Sequence, residues 1–572
     1  MLGRLRGDQR GGAGVVFALV AVFVLIPMIF VGTNVFIAMG QRAKLQDSLD
    51  SATLFVARSK ITDEAALLAM GERALKANLE LIGGEQKAQL LEASFVLVED
   101  DEGERIVGSA KVKPWVPVTW CKVHNSDPWC FTSRAIAAST EVIRAVDKIE
   151  VALVLDNTGS MNSESPSRIS ILRTEAAKLV DSLAAIGDDD DVKVSLVPFS
   201  NTVRVVESVD LDSYNPATGT APGLPDWIDP VSRAMGGNSC GGNTNGNNGG
   251  AFNMFDCAAD RLALMKAIGE DWQGCVESRH DDYNISEEDD GSWKSRFVPY
   301  FWPDNGDAGN GDARRNNYLK DVDPSVSGNT NQKKKALQTE QRRTEKYTSA
   351  NWHPNRRGKT FSPVSGFGGP YYYGPNAGCA LQPLIRLTTD TDQVKTAIGK
   401  MNAIGQTHIP IGLVWGWHTL SPTNVGPYGD GADYGAQDTK KFIILMTDGD
   451  NTNFRPQDFG EQVEISYNDS YYGGYGFAWQ RILKGMDEGD TSLKRTEIMD
   501  DRLIDLCDAI KDKGVVIYTI GVVASKNSQE KLSNCASKLR GQTLYYDVSK
   551  TADLGPVFQK IASQISQMRI AR

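Results

Sequence analysis

The chain has 572 residues and a formal net charge of -11, from 61 basic and 72 acidic side chains. This length exceeds what one compact core normally uses, so we expect about three or four units. The acidic balance argues against a nucleic-acid partner, and the basic run at Lys333 to Lys335 is too short to change that. The chain carries five His and no phosphate-binding Gly-x-x-x-x-Gly-Lys-Ser/Thr loop. We therefore predict no enzyme activity and no small-molecule substrate.

An uncharged apolar stretch runs from Val15 to Met39. It is long enough to cross a hydrocarbon layer of about 30 Å. We predict a cytoplasmic tail over residues 1–13 and a transmembrane anchor over 14–39. The arginines before the stretch weakly favour a cytoplasmic N-terminus, with the rest of the chain outside.

A cleaved secretory signal is the alternative interpretation of this stretch. It lacks a clear small-x-small cleavage site, and from Gln41 onward the chain continues as an amphipathic helix. A retained anchor is therefore favoured. After it, alternating apolar residues over 93–98 and 106–112 predict a hairpin within a small α+β module over residues 61–146. Its expected role is to space the following domain from the membrane.

From residue 147 to 572, buried-type strands alternate with amphipathic helices, which predicts an α/β fold with a doubly wound, mostly parallel sheet. Two long insertions interrupt it, at about 207–385 and 454–493. The second is rich in aromatic residues, which either rim the functional face and contact a partner or pack the insertion against its domain. The predicted strands are 149–155, 192–198, 442–446, 515–522 and 543–546, and the predicted helices are 167–185, 392–403, 411–420, 498–511, 528–539 and 551–567.

Oxygen-bearing side chains follow the first strand directly, at Asp156, Thr158 and Ser160. Alternate positions on a tight turn can face one hard cation. Thr407 lies in a later glycine turn, and Asp448 follows another buried strand. Because parallel strands bring their carboxyl ends to one edge, we expect these residues to converge. An all-oxygen ligand set favours Mg²⁺, with Mn²⁺ or Ca²⁺ as alternatives.

This ordered trio of segments resembles the metal-ion-dependent adhesion site (MIDAS) of von Willebrand factor A (vWA) domains. The resemblance implies that Thr158 and Ser160 bind the metal directly. It also implies that Asp156, Thr407 and Asp448 bind directly or through water, and that the carboxylate of a protein partner completes the coordination.

The N-terminal stretch from Arg10 to Leu19, with Pro27 in the apolar run, resembles the start of TadE/TadG-like proteins, up to about residue 60. With a C-terminal vWA domain, it is similar to the TadG branch of the tight-adherence (Flp) pilus system. Prepilin-like relatives carry Glu where this chain has Val16, so we expect an uncleaved single-pass anchor. The resemblance implies a bacterial inner-membrane protein whose C-terminal domain faces the periplasm and contributes to pilus assembly or anchoring.

Eight cysteines, an even number, lie in the part of the chain expected outside. An oxidising compartment favours disulfides, although sequence alone does not prove their connectivity. Loop geometry and the family resemblance together favour two pairings and leave two short local ones. The expected pairs are Cys507 with Cys535, Cys275 with Cys379, Cys121 with Cys130 and Cys240 with Cys257.

Our first hypothesis is a membrane-anchored vWA protein that binds a protein partner through the metal site. A surface adhesin would use the same chemistry at another location. A metal-dependent envelope hydrolase is the third hypothesis. It requires a general base or a second metal near Asp448, and apart from Asp450 and His408 the sequence offers little for this. The Asp-rich segment from Asp304 to Asp312 fails the spacing of a calcium loop, and we predict a solvated loop there.

Overall fold

The computed structural model divides into two compact units, Met1–Val146 and Asp147–Ala571, which are described separately. The described residues are 18–20, 22, 24, 26–57, 59, 61, 63–82, 89–100, 103–113, 135–143, 148–187, 191–230, 259–306, 316–323, 328–362, 370–436, 438–459 and 468–570.

The first unit packs two helices on an antiparallel sheet. Helices α1 (Ile26–Ala57) and α2 (Glu64–Ile82) contact strands β1 (Gln89–Asp100), β2 (Gly103–Lys113) and β3 (Ile136–Ile143), in the order β1-β2-β3. The predicted hairpin is β1 and β2, and β3 was not predicted. The small core is formed by the C-terminal half of α1, by α2 and by one face of the sheet, with buried residues Leu45, Leu49, Ala52, Val56, Leu67, Leu75, Phe95, Ile106, Ala110, Val112 and Ala138.

The N-terminal half of α1 exposes apolar side chains that include Met28, Ile29, Phe36 and Met39. Within the part of the chain that the structure describes, no helix combines the length and apolar character needed to cross a bilayer. Positions 14–17, 21, 23 and 25 of the predicted anchor lie outside that part. The anchor therefore stays a prediction.

The second unit is built on a six-stranded sheet. Its strands are β4 (Lys148–Asp156), β5 (Val192–Phe199), β8 (Ile385–Thr388), β9 (Thr439–Thr447), β10 (Val516–Val522) and β13 (Tyr545–Val548), and the two-residue strands β6 (Thr360–Phe361), β7 (Tyr371–Tyr372), β11 (Lys538–Leu539) and β12 (Gln542–Thr543) form two small antiparallel pairs. The order of the strands in the sheet is β13-β10-β9-β4-β5-β8. All pairings are parallel except that of β8 with β5, which is antiparallel. The mostly parallel α/β architecture agrees with the prediction.

Helices cover both faces of this sheet, which explains why its central strands are apolar on both sides. Helices α3 (Arg168–Ala184), α6 (Thr391–Lys400) and α10 (Leu554–Ile570) share one core with the sheet. Helices α7 (Ile409–Leu420), α8 (Ser492–Asp512) and α9 (Lys526–Cys535) share the other core, together with the first insertion. The insertion contributes α4 (Arg261–Ile268) and α5 (Thr330–Arg342).

Helix α7 is buried along its whole length and lies directly on the sheet. Its two glycines, one turn apart, make this close approach possible. A Cβ on Gly412 would lie 2.4 Å from the Phe199 ring, and a Cβ on Gly416 would lie 2.4 Å from Cγ2 of Val154. Because α7 begins directly after residues 407 and 408, its seating on β4 and β5 also fixes the loop that carries Thr407.

Several element boundaries differ from those predicted. The short antiparallel strand β8 was missed and marks the end of the first insertion. Helix α8 begins at Ser492 rather than Ile498, because the Thr491 side chain accepts a hydrogen bond from the Lys494 amide and caps the helix there. The last strand begins at Tyr545 rather than Thr543. None of these differences moves the sheet edge that carries the candidate site.

The prediction of a solvated loop at Asp304 was wrong. Asp304 is fully buried, and its Oδ2 accepts a hydrogen bond from Nζ of the equally buried Lys346 at 2.7 Å. Its Oδ1 accepts the backbone amides of Tyr318 and Leu319 at 2.5 and 2.6 Å. The Asp304 carboxylate therefore stabilises the interior of the first insertion through an ion pair and hydrogen bonds. Residues 307–312 of the same segment lie outside the described residues.

Two disulfides join Cys275 to Cys379 and Cys507 to Cys535. These pairings are the same as the first two that we expected. The first ties distant parts of the insertion together, and the second joins α8 to α9. The other expected pairs, Cys121 with Cys130 and Cys240 with Cys257, lie outside the described residues.

Candidate functional site

Strand β4 ends at Asp156, whose carboxylate is buried at the carboxyl edge of the sheet. Its Oδ1 accepts the backbone N–H of Thr158 at 2.7 Å, which closes the turn after the strand. Its Oδ2 accepts the Thr447 hydroxyl at 2.6 Å. Strands β4 and β9 are neighbours in the sheet. The carboxylate of Asp156 is therefore held from both strand ends.

The turn after Asp156 carries two hydroxyls, and the second of them contacts Asp448. Oγ1 of Thr158 lies 2.9 Å from Oγ of Ser160. The Ser160 hydroxyl in turn donates to Oδ1 of Asp448 at 2.6 Å, across 288 positions of sequence. The structure therefore brings four of the five predicted residues into one hydrogen-bonded cluster of side-chain oxygens.

The fifth predicted residue, Thr407, approaches from the loop before α7. The backbone of this loop is joined to the turn after β4, because Gly159 donates to the Gly405 carbonyl at 3.0 Å. It is also joined to the turn after β9, because the Thr407 amide donates to Oγ1 of Thr452 at 2.9 Å. The Thr407 hydroxyl lies 3.8 Å from the position that a Cβ on Gly449 would take. Thr407 thus borders the cluster next to Asp448.

Arg168 and Glu164 belong to this neighbourhood but were not predicted. Arg168 begins α3 and donates from its guanidinium to Oδ2 of Asp448 at 2.8 Å. Its Nε donates to Oε1 of Glu164 at 2.9 Å. Oε2 of Glu164 accepts the Thr551 hydroxyl at 3.0 Å. The Arg168 guanidinium therefore bridges the carboxylates of Asp448 and Glu164.

The electrostatics of the cluster are unfavourable for two free carboxylates. Burial and, next, the negative charge of Asp448 raise the pKa of Asp156 from 3.8 to about 7, against the hydrogen bonds from Thr158 and Thr447, which lower it. Burial also raises the pKa of Asp448. Desolvation and like charge both penalise ionisation at such a site. A cation added between the two carboxylates would offset both costs.

The donor chemistry fits a hard divalent cation. Asp156 and Asp448 supply carboxylate oxygens, and Thr158, Ser160 and Thr407 supply hydroxyls, the oxygen ligands that Mg²⁺, Mn²⁺ and Ca²⁺ accept. Among the described residues, no group of three or more His, Cys, Asp or Glu side chains is arranged to hold a metal. Binding at this edge would therefore depend on the hydroxyls and on ligands from outside the chain.

His408, next to Thr407, is fully buried and stacks on the ring of Tyr475 with centroids 5.2 Å apart. Burial lowers its pKa to about 3. The imidazole is therefore a weak base. Asp450, the other candidate base, accepts a hydrogen bond from the Ser525 hydroxyl at 2.6 Å.

The aromatic residues of the second insertion are mostly buried, including Tyr472, Tyr475 and Phe477. Tyr472 packs against Tyr300 and Phe477 with ring centroids 5.0 Å apart in each pair. These rings pack the insertion against its own domain. Of the two interpretations in the sequence analysis, the structure favours packing over partner contact for these residues. Tyr467 lies outside the described residues.

No family model matches the sequence, and no curated protein matches it either. Among solved structures, the chain aligns with the vWF domain of the type V pili tip protein Mfa5 from Porphyromonas gingivalis at 11% identity and a TM-score of 0.31, over 75% of this chain and 97% of that one. It aligns with the PilB minor pilin from Streptococcus sanguinis at 11% identity and a TM-score of 0.29, over 84% of this chain and 79% of that one.

The chain also aligns with the pilus adhesin RrgA from Streptococcus pneumoniae at 8% identity and a TM-score of 0.30, over 83% of this chain and half of that one. Identities and TM-scores this low carry no argument about site or function. The α/β assignment accordingly rests on the sheet order and strand directions described above.

Proposed function

We propose that the second unit is a vWA-type binding domain that uses a divalent cation at the carboxyl edge of its sheet to bind a carboxylate of a protein partner. The observation that carries this proposal is the contact between Ser160 and Asp448, which joins the turns after β4 and β9. Asp156 and Thr158 lie beside this contact, and Thr407 borders it next to Asp448, which supports a ligand set made of oxygens.

The cation would be Mg²⁺, with Mn²⁺ or Ca²⁺ as alternatives. Thr158 and Ser160 would bind it directly, and Asp156, Thr407 and Asp448 directly or through water. Two carboxylates and three hydroxyls leave room in an octahedral shell for an external oxygen ligand. A metal held in this way attracts an anionic partner group strongly, because the site is shielded from bulk water.

The biological setting is part of the same proposal. The TadG-like pattern at the N-terminus and the apolar stretch over 14–39 support a chain tethered to a bacterial inner membrane, with the binding domain in the periplasm. The exposed apolar side chains early in α1 are consistent with burial in lipid. The function would be assembly or anchoring of a tight-adherence pilus. A surface adhesin would use the same chemistry after export.

The test begins with the cation alone. Titration of the purified chain with MgCl₂ and MnCl₂, followed by calorimetry, should give saturable binding that Asp156→Ala abolishes. Asp181→Ala is the matched control, because Asp181 is an exposed carboxylate on α3 whose side chain bonds to Lys395. It should bind the cation as the original chain does.

Partner binding is tested by co-purification from envelope fractions, with Mg²⁺ or with a chelator. A protein that is retained with Mg²⁺ and lost both with the chelator and with Asp156→Ala would support the proposal. Partner retention that survives the chelator and the substitution would show that the site is not the binding element.

A metal-dependent hydrolase is the less favoured function. Such an enzyme needs a base or a second metal beside the first. His408 is buried with a depressed pKa, and Asp450 is bonded to Ser525. Turnover of a phosphoester that Asp448→Ala abolishes would be required to reinstate this function.

A further inference from the structure

Arg168 places a positive charge in the site, and this charge opposes a metal ion there. Its guanidinium lies 2.8 Å from Oδ2 of Asp448, and the Asp448 side chain is fully buried in this pair. Ser160 already donates to the other oxygen of the same carboxylate. Both oxygens of Asp448 are thus engaged by donors from within the chain, and one of those donors is a full positive charge.

We propose that Arg168 is a built-in counter-cation of the site, which competes with the divalent metal for Asp448 and thereby sets the affinity of the site for that metal. This inference rests on the proposed function, because it concerns the same site. It assigns Arg168 as a positioning residue that acts through Asp448.

The charges at the site favour competition between Arg168 and the metal for Asp448, rather than stabilisation of the metal site by Arg168. When both are ionised, Asp156 and Asp448 carry two negative charges, and Arg168 neutralises one of them while it remains in contact. A divalent ion that enters the cluster meets less net negative charge and a repelling cation close by. Coulomb interactions of this kind extend over several ångströms among buried groups such as Asp156 and Asp448.

Neighbouring residues would hold the Arg168 guanidinium after it leaves Asp448. Its Nε is bonded to Glu164, and this bond lowers the pKa of the Glu164 carboxyl, which therefore stays ionised. Glu164 is held in turn by the Thr551 hydroxyl. When a metal takes Asp448, the guanidinium can keep its bond to Glu164 and release only one of its two carboxylates.

The experiment measures the affinity of the full chain for Mg²⁺ and Mn²⁺ by calorimetry. Arg168→Gln, which removes the charge and keeps a polar side chain, should bind the metal ~10-fold more tightly. Arg168→Lys keeps the charge but cannot span both carboxylates, so it should bind about threefold more tightly. Glu164→Gln should bind the metal more weakly, because the Arg168 guanidinium then no longer divides its contacts between Asp448 and a second carboxylate.

Lys178→Gln is the matched control for loss of one positive charge. Lys178 is on the same helix and is exposed, and it pairs with Glu175 rather than with the cluster. Its affinity for the metal should equal that of the original chain. If Arg168→Gln does not fold, Arg168→Lys carries the test alone.

Metal binding by both Arg168 variants that is equal to or weaker than that of the original chain overturns the inference and leaves the proposed function standing. Binding by the original chain that Asp156→Ala leaves unchanged overturns the proposed function instead. If no variant binds either ion, both are overturned. Binding that is detectable only after Arg168 is replaced supports the inference in its strongest form.

Discussion

Two of the buried carboxylates of the second unit, Asp304 in the first insertion and Asp156 at the sheet edge, are held in opposite ways. In the first insertion, Asp304 is paired with the buried ammonium of Lys346 and accepts two backbone amides. At the sheet edge, Asp156 accepts only neutral donors and has the carboxylate of Asp448 as a neighbour.

The two environments differ in the sign of the nearest charge. Burial raises the pKa of both carboxyls, but Lys346 opposes this effect at Asp304, whereas Asp448 adds to it at Asp156. The carboxylate of the insertion is compensated within the fold. The carboxylate at the sheet edge lacks such compensation, which is the arrangement expected of a ligand for an external cation.

The largest expected effect comes from breaking the compensated pair. Lys346→Met leaves the Asp304 carboxylate buried without its cation, and loss of one partner of a buried pair costs about 3 to 5 kcal/mol of the free energy of unfolding. Chemical denaturation of the second unit checks this. Lys335→Met, at an exposed position of α5, should leave the unfolding midpoint unchanged. A loss of less than about 1 kcal/mol at position 346 would contradict the comparison.

Asp156→Asn, in the presence of a chelator, is expected to raise the free energy of unfolding rather than lower it. The pKa of Asp156 is raised from 3.8 in the unfolded chain to about 7 in the fold. Its contribution to stability is therefore greatest below about pH 4, is lost as the pH rises between the two values, and remains a constant cost above about pH 7. Asn removes this cost, so at pH 8 the variant should be more stable by about 2 kcal/mol or more.

At pH 4 the stabilisation by Asp156→Asn should be largely absent, and thermal unfolding over the pH range measures the difference. A residual slope should remain in the variant, because burial also raises the pKa of Asp448. Equal stability of both proteins at pH 8 would show that Asp156 is compensated by some other group.

Addition of Mg²⁺ should stabilise the original chain and leave Asp156→Asn unaffected. A ligand at 100 times its dissociation constant contributes about 2.7 kcal/mol to the free energy of unfolding. The shift in melting temperature on addition of MgCl₂ measures this effect. The ion should leave the contribution of the Asp304–Lys346 pair to stability unchanged. Identical shifts in both proteins would indicate nonspecific binding.

The smallest expected effect is that of Ser160→Ala, which removes one ligand and the donor to Asp448. Affinity for Mg²⁺ should fall by about tenfold, or roughly 1.4 kcal/mol, with little change in stability of the metal-free chain. Ser163→Ala, at an exposed position in the same turn, is the control. Calorimetry distinguishes them, and equal affinities would remove Ser160 from the ligand set.

The parts of the site that lie close together in sequence were accessible without a structure. Asp156, Thr158 and Ser160 share one turn, so their spacing alone suggests a common focus. Asp448 was predicted because it follows a buried strand, and strands β4 and β9 proved to be neighbours. The order of the strands in the sheet could not be read from the sequence.

Contacts between distant segments explain what was missed. Arg168 meets Asp448 across 280 positions, and its direction depends on where α3 begins. Asp304 was interpreted as solvated because its partner Lys346 is 42 positions away. The four residues of β8 are too few to give a periodic signal. In each case the deciding interaction is tertiary, and the local pattern of residue types does not predict it.

The disulfide between Cys275 and Cys379 encloses most of the first insertion in a covalent ring. A single protease cut at any position between these cysteines would open the ring without releasing a fragment. The nicked chain would migrate as one species on a non-reducing gel and as two after reduction. Digestion therefore offers a way to sever the backbone of the insertion while the two pieces, which carry different strands of the sheet, stay covalently joined.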